Sequence, residues 1–520
     1  MSGDQGKAPH TMTPSFARRR LLTGAGALAV GAALASCSSG DGDNSSGGRR
    51  LRAAFSAGGS QETLDPHIAP LFVDQARAKA LYDSVLTYKD DMSVQARLAE
   101  SWESDRSGSR WTVRLRSDAR FHDGSRVTAA DVLWNYRRIA DPATGAAAQQ
   151  LFSRVDFGAS NAKGRDLTLV LKEPDFEFPA ALGAPGTEIV PEDTKDFAKP
   201  VGSGPFRYRS FEPGGNALFT AWADHWDGGP RIEELEFVPV NDERARLNAL
   251  LSGQVHYAHD LTAASASRVA DRDGLGVLRS KLSTMQAILL RLSRAPFDDA
   301  RLVRAFTLGL DRDRLVEVAL SGHGTAGNDL FGMGLRAYPK NLPDRERDVD
   351  RARALVKAAG ADGLAVALET SDADPTWRNA STLIADQLKD IGLKVTPHVR
   401  SAATYFGEIK TKGVAFHSRT ATLPVVTHLR SRLRSDAANN LMGYEDATFD
   451  RLLAEATATR DEKTRLELLD RAQRRARDRD GQLVWAFSDW NIGHSDAVTG
   501  LRAAPPNSYD WARFDRVRLS

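Results

Sequence analysis

The chain has 520 residues, with 70 Lys and Arg against 68 Asp and Glu, 41% hydrophobic residues and one cysteine. That length can bury several hydrophobic cores, and a lone cysteine excludes an internal disulfide framework. A formal charge of +2 offers no basic field for nucleic acid.

Near the amino terminus, Arg18, Arg19 and Arg20 precede an uncharged run from Leu21 to Ser36 built mainly of Leu, Ala, Gly and Val. This is a basic n-region followed by an apolar h-region, too short for the ~20 apolar residues of a stable span. Arg18 to Leu22 resembles a twin-arginine export signal. Leu34-Ala35-Ser36-Cys37 resembles the lipobox of bacterial lipoproteins, in which the cysteine is lipidated and becomes the first residue. Residues 1–36 are therefore expected to be a signal peptide and Cys37 a lipidation site. The discarded piece holds Lys7, Arg18, Arg19 and Arg20 against Asp4, so the mature chain is close to neutral. Ser38 to Gly48, all Ser, Gly, Asp and Asn, is composed like a flexible tether. The folded body is expected from about residue 50.

Leu51 to Ser56 reads as a strand that breaks at Gly58-Gly59 into a loop, where α/β sheets present ligands. Trp111, Val113 and Leu115 alternate on one face of a second strand. Thr128 then stands as the N-cap of a helix, and 166–171 alternates again. "RIEELEFVPV" is a strand followed by a helix that starts at a polar cap and stops at Gly253. Beyond Pro296 the helices lengthen. Leu383, Ile384, Gln387, Leu388 and Ile391 line the inner side of one that Gly392 ends, with a strand from Leu393, the α-to-β joint of a βαβ unit. The basic run Arg471 to Asp480 continues a helical apolar stripe and reads as a solvated helix face.

None of the strong catalytic motifs is found. There is no phosphate-binding loop, no His-Glu-x-x-His, no nucleophile elbow and no cysteine pair for a metal. His256 and His259 lack further ligands nearby and read as structural or surface residues. The expectation is a protein without enzymatic activity, metal or cofactor.

Several short words recur in a fixed order: Leu64-Asp65-Pro66, Leu81-Tyr82-Asp83, Leu98-Ala99-Glu100-Ser101-Trp102, Trp111 to Arg116, Phe121-His122-Asp123-Gly124, Val201 to Phe206 and Pro296-Phe297-Asp298-Asp299. In this order and spacing they resemble the extracellular solute-binding proteins, family 5, of peptide and nickel ABC importers. The resemblance implies an α/β, two-lobed periplasmic-binding-protein clamshell of class II with an extra subdomain. It places lobe I at 50–88, 201–290 and 488–520, the inserted subdomain at 89–200 and lobe II at 291–487. It also implies a monomer that closes around a small-molecule or peptide ligand and delivers it to permease and ATPase subunits, oligopeptide being the family default. An anionic metabolite, an oligosaccharide, chelated nickel or a sensor role without transport are the alternatives. With Cys37 lipidated, the protein sits at the outer face of the cytoplasmic membrane.

Two departures bear on the ligand. Peptide binders of this family commonly carry Trp and Asp where this chain has Gly413 to Leu429, which holds neither Trp nor a carboxylate. His417, Ser418, Arg419 and Thr420 occupy that region, and an arginine fork there suits a solute with a carboxylate, phosphate or hydroxyls, unless Arg419 pairs with an internal acid. Arg291 stands where the family usually has Asn, either adding a positive group to the cleft or forming a surface ion pair. Trp485 and Trp490 are candidate cleft walls. Gly59, Ser60, Gln61 and Glu62, after the first strand, complete the candidate contacts.

Overall fold

Residues 50–520, except 69, 70 and 403, are described by a computed structural model. The expected signal peptide, tether and Cys37 lie outside them. Alternating apolar positions become strands and 3.6-residue stripes become helices largely where the sequence puts them. Strand β1 (Arg50–Phe55) leads through a loop to helix α1 (Phe72–Leu81). The inserted subdomain follows with β2 (Ala99–Ser104), β3 (Arg110–Leu115), α2 (Ala129–Ala140), β4 (Asn161–Lys163) and β5 (Asp166–Val170), an antiparallel sheet in the order β2-β3-β5-β4. Thr128 caps α2 as its sequence promises: its Oγ1 accepts from Asp131 N while the Asp131 carboxylate accepts from Thr128 N, a reciprocal arrangement that stabilises a helix start by about 1 kcal/mol.

Lobe I resumes with β6 (Phe206–Phe211), β7 (Ala217–Ala221), β8 (Glu234–Pro239), α3 (Glu243–Leu251) and β9 (Tyr257–Leu261). The long strand β10 (Leu275–Leu290) then passes into lobe II. Lobe II contains β11 (Ala365–Ser371), α4 (Thr376–Lys389), β12 (Lys394–Arg400), β13 (Ala415–Ala421), α5 (Ala447–Ala458) and α6 (Glu462–Ala476). The long strand β14 (Gln482–Ser495) brings the chain back.

The two lobes share one continuous run of hydrogen-bonded strands, β12-β11-β13-β10-β14-β9-β1-β8-β7-β6. Its middle pair is the crossing. Leu275 to Ser280 pairs with β14 on the lobe I side, and Thr284 to Leu289 pairs with it on the lobe II side, with a register break between Ser280 and Thr284. Leu282, inside the break, has φ of 56°. Thr284 to Leu290 also pairs with β13, so the strand already runs among lobe II strands ahead of the expected boundary at 291. The missing cue is pairing itself: an unbroken apolar run does not reveal at which residue a strand changes partners.

Separate cores fill the parts. Leu51, Phe55, Phe237 and Trp511 belong to lobe I, Trp111, Val113, Tyr136 and Phe152 to the subdomain. Lobe II has a core on each face of its sheet, one containing Phe306, Leu388 and Trp485, the other Trp377, Phe416 and Phe487. Gly202 and Gly204 lie where the chain re-enters lobe I. A Cβ on Gly202 would stand 1.9 Å from the Leu81 carbonyl oxygen, so the backbones touch as only glycine permits. No helix among the described residues is long and apolar enough to cross a membrane.

Candidate solute cleft between the lobes

Carboxyl ends of the parallel strands in both lobes meet beside the crossing, the position at which open α/β sheets hold ligands. From lobe I comes Asp260, near the end of β9. Asp260 sits in a register break with φ of 52°, a left-handed conformation that Asp tolerates better than most residues and that lifts its side chain out of the ladder. Asp374, just past β11, and Arg419 on β13 come from lobe II.

Arg419 Nη2 donates to Asp260 Oδ2 at 2.7 Å and Arg419 Nη1 donates to Asp374 Oδ2 at 3.1 Å. The guanidinium also lies over the Trp490 ring at 5.6 Å, a cation–π distance. Burial by itself would raise the Asp260 carboxyl, but Arg419 beside it outweighs this and leaves it below the ordinary range. Burial likewise disfavours the Arg419 cation, and the two carboxylates reverse that, holding it more firmly protonated than a free arginine. A second guanidinium stands beside Asp260, Arg246 Nη2 donating to the Asp260 carbonyl oxygen at 3.2 Å, and Asp374 also accepts from Gln286 Nε2 at 3.1 Å and Thr376 Oγ1 at 2.6 Å.

Around it the surfaces are aromatic and polar. Trp490 packs against Phe72 at 4.8 Å and His259 at 5.1 Å between ring centres, and Trp511 lies 5.7 Å from His259. The His259 ring is held neutral, burial pushing it down to about 3. Trp490 Nε1, Trp511 Nε1 and His259 Nε2 are buried without a hydrogen-bond partner, which is costly unless something else meets them. Asn507 Nδ2 donates across the lobes to the Thr422 carbonyl oxygen at 2.7 Å, while its Oδ1 is unpartnered. Asn507 and Trp511 also line a cavity of about 50 Å³ that continues toward Lys79, Arg97 and Glu188, room for a few water-sized groups.

Other expected contacts are placed differently. Arg291 does not reach this cleft: its Nε donates to Gly413 O at 3.1 Å, Nη1 to Leu441 O and Nη2 to Ile409 O at 2.8 Å each. A fork of donors here gathers three carbonyl oxygens at the far end of β10, neither a cleft charge nor a surface ion pair. Trp485 is fully buried in the lobe II core and is not a cleft wall. Glu62 accepts from Gly58 N and Gly214 N at 3.0 Å and pairs with buried Arg77 at 3.2 Å, so its carboxylate is engaged in holding the loop. Gly59, with φ of 76°, turns that loop, and Ser60 and Gln61 are exposed on it. His417 lies beneath the cleft, its Nε2 2.8 Å from Ser381 Oγ and its ring stacked on Trp377. Ser418 and Thr420 are buried on the opposite face of β13, and Thr420 Oγ1 has no partner.

Asp260 and Asp374 were not singled out in the sequence. Their signal was positional, since Asp260 lies near the end of a strand of the parallel type and Asp374 just past one, but neither belongs to a motif. The stretch 413–429 lacks a carboxylate, and the fold supplies two from elsewhere. Among the described residues no group of three or more His, Cys, Asp and Glu is placed to hold a metal.

Two lobes, an inserted subdomain and a cleft at the strand ends beside a double crossing define a periplasmic-type binding protein. The model described as "Bacterial extracellular solute-binding proteins, family 5 Middle" matches residues 93–425. The chain belongs to that family, the solute receptors of ABC importers. It is 25% identical over 489 residues to the glutathione-binding protein GsiB of Escherichia coli (strain K12), covering 88% of this chain and 93% of that one. Among solved structures it resembles NikZ from Campylobacter jejuni in complex with Ni(L-His), with a TM-score of 0.80 at 17% identity over 90% of this chain and 99% of that one. DppA from Helicobacter pylori in complex with the peptide STSA gives 0.79 at 19% identity over 90% and 98%. These proteins are named for what they bind and not for a reaction.

Proposed function

We propose that this protein is a lipid-anchored receptor that captures a peptide-like solute bearing a free ammonium group, closes its lobes around it and delivers it to a permease driven by an ATPase. The observation that carries the solute class is the Asp260–Arg419–Asp374 cluster. Arg419 is already paired with two carboxylates, so its guanidinium is not free to attract an anion, and the Asp260 carboxylate, with 30% of its side chain exposed, is the charge left to meet a cationic nitrogen. Burying such a cation without a counter-charge would be heavily unfavourable. Trp490 and Trp511 are buried rings behind the cluster, and their N–H groups, which have no partner, are donors suited to peptide carbonyl oxygens. The names of GsiB and DppA, one a glutathione binder and the other solved with a peptide, agree with a peptide-like ligand.

The 50–88, 201–283 and 488–520 segments act as one lobe and 284–487 as the other, with Lys281 to Ser283 and Asp489 as the hinge. Titration calorimetry with a tripeptide and its N-acetylated form tests the assignment. Heat of binding for the free tripeptide alone supports an ammonium site, and equal binding of both contradicts it.

A further inference from the structure

Of the three bodies, two are fixed to each other. Asp83 of lobe I accepts from Arg97 Nε of the subdomain at 2.7 Å, and also from Trp226 Nε1 at 3.0 Å and Ser203 Oγ at 3.1 Å. The Trp226 ring lies between the guanidinium groups of Arg97 at 4.1 Å and Arg116 at 3.7 Å. Arg138 pairs with Asp65, His67 Nε2 lies 2.9 Å from Glu188 O, and His122 N donates to Gly202 O at 2.7 Å. Direct polar contacts thus tie the subdomain to lobe I along their junction.

On the lobe II side, contacts from the subdomain converge on three consecutive residues. Asp175 accepts from Arg430 Nη1 at 2.7 Å, and Phe176 N donates to Thr457 O at 2.8 Å. Glu177 accepts from both terminal nitrogens of Arg336, at 3.0 and 3.1 Å, and from Arg465 Nε at 2.6 Å. Only 2% of the Asp175 side chain and 9% of the Glu177 side chain is exposed. Burial alone would raise the Asp175 carboxyl, yet Arg430 and Arg154 beside it bring it below its ordinary range.

We propose that Asp175, Phe176 and Glu177 form an electrostatic latch that holds lobe II closed against the subdomain whether or not solute is present. In the closed form these charges are drawn from water and held by direct partners. In the open form water solvates them again. Desolvation and attraction nearly cancel for such pairs, which makes the latch a weak bias that opening can overcome. Any solute's apparent affinity then scales with the fraction of molecules the latch keeps competent. This goes beyond the solute assignment and does not depend on it.

Small-angle X-ray scattering of the exported, purified chain without added solute tests the latch, comparing wild type with Glu177→Gln and Arg336→Gln. Far-ultraviolet circular dichroism and melting are recorded for each. The Arg336 side chain is 31% exposed, so Arg336→Gln carries the test if Glu177→Gln fails to fold. The expected result is a larger radius of gyration and maximum dimension in the folded variants. Arg353→Gln, at an exposed pair far from this contact, scatters as wild type. Superimposable profiles of wild type and Arg336→Gln at low salt overturn the latch, while calorimetric binding of a free tripeptide would still leave the solute assignment standing.

Discussion

Arg419 of lobe II reaches across the cleft to Asp260 of lobe I, Nη2 to Oδ2 at 2.7 Å, and no chain connection nearer than the paired crossing strands holds those two residues together. The contact joins the two lobes at the proposed solute site. Asp260→Asn keeps the shape and the tolerance for positive φ but removes a charge. It is predicted to weaken peptide affinity about tenfold to a hundredfold, roughly 1.4–2.8 kcal/mol, with little change in melting temperature, as read by calorimetry and thermal unfolding.

Arg291 gives the opposite pattern. Replacing it with Met leaves three carbonyl oxygens without their shared donor, an expected loss of about 2–4 kcal/mol of stability, with solute affinity unchanged. Lysine, a single compact ammonium in place of a fork, should rescue only part of the loss. Urea unfolding alongside calorimetry separates stability from binding.

Gly202→Ala forces a Cβ to within 1.9 Å of the Leu81 carbonyl oxygen, and Gly204→Ala one to within 2.5 Å of Leu81 and Tyr82 backbone atoms. Neither neighbour can yield without shifting backbone. Each change is predicted to cost more than about 4 kcal/mol, seen as loss of soluble protein or a melting point far below wild type.

Acid should destabilise the fold in two stages. Burial lowers His67 and His122 to about 4 and His259 and His417 to about 3. Their folded pKa lies below the unfolded one near 6.5, so their contribution is full above ~6.5 and is lost as pH falls toward the folded values, by on the order of 1.4 kcal/mol per pH unit for each. Glu188 is raised to about 7 and Asp74 to about 6 by burial, and these act in reverse, gaining as pH drops toward ~4.5. Urea midpoints should therefore already fall between ~6.5 and ~4.5, four histidines outweighing two acids, and fall more steeply below, where paired carboxylates such as Asp83 also lose their charge. A midpoint that rises on acidification below ~4.5 contradicts this.

In the proposed account Cys37 carries lipid. Cys37→Ala in the native host should abolish incorporation of labelled palmitate and release the protein from the membrane fraction. Label retained in the variant refutes it.

Periodicity made most elements legible: the alternation at Trp111, Val113 and Leu115, the cap at Thr128 and the stop at Gly392 all describe local backbone, which neighbouring residues determine. The cleft was less so. Arg419 was visible as a candidate because it occupies a region that the family uses, but its partners lie 159 and 45 residues away, beyond anything local spacing encodes. Trp485 and Trp490 look alike in sequence five positions apart. One is sealed in the lobe II core and the other lies under Arg419, a difference set by where β14 crosses between lobes.

A thermal-shift panel on the purified chain tests the central claim most directly, comparing free di- to pentapeptides, their N-acetylated forms, dicarboxylates, oligosaccharides and chelated nickel, since a ligand of the folded state raises the melting temperature by mass action. Stabilisation by free peptides that disappears on acetylation is the predicted result. Stabilisation only by anionic or hydroxyl-rich solutes would contradict an ammonium site at Asp260 and Asp374.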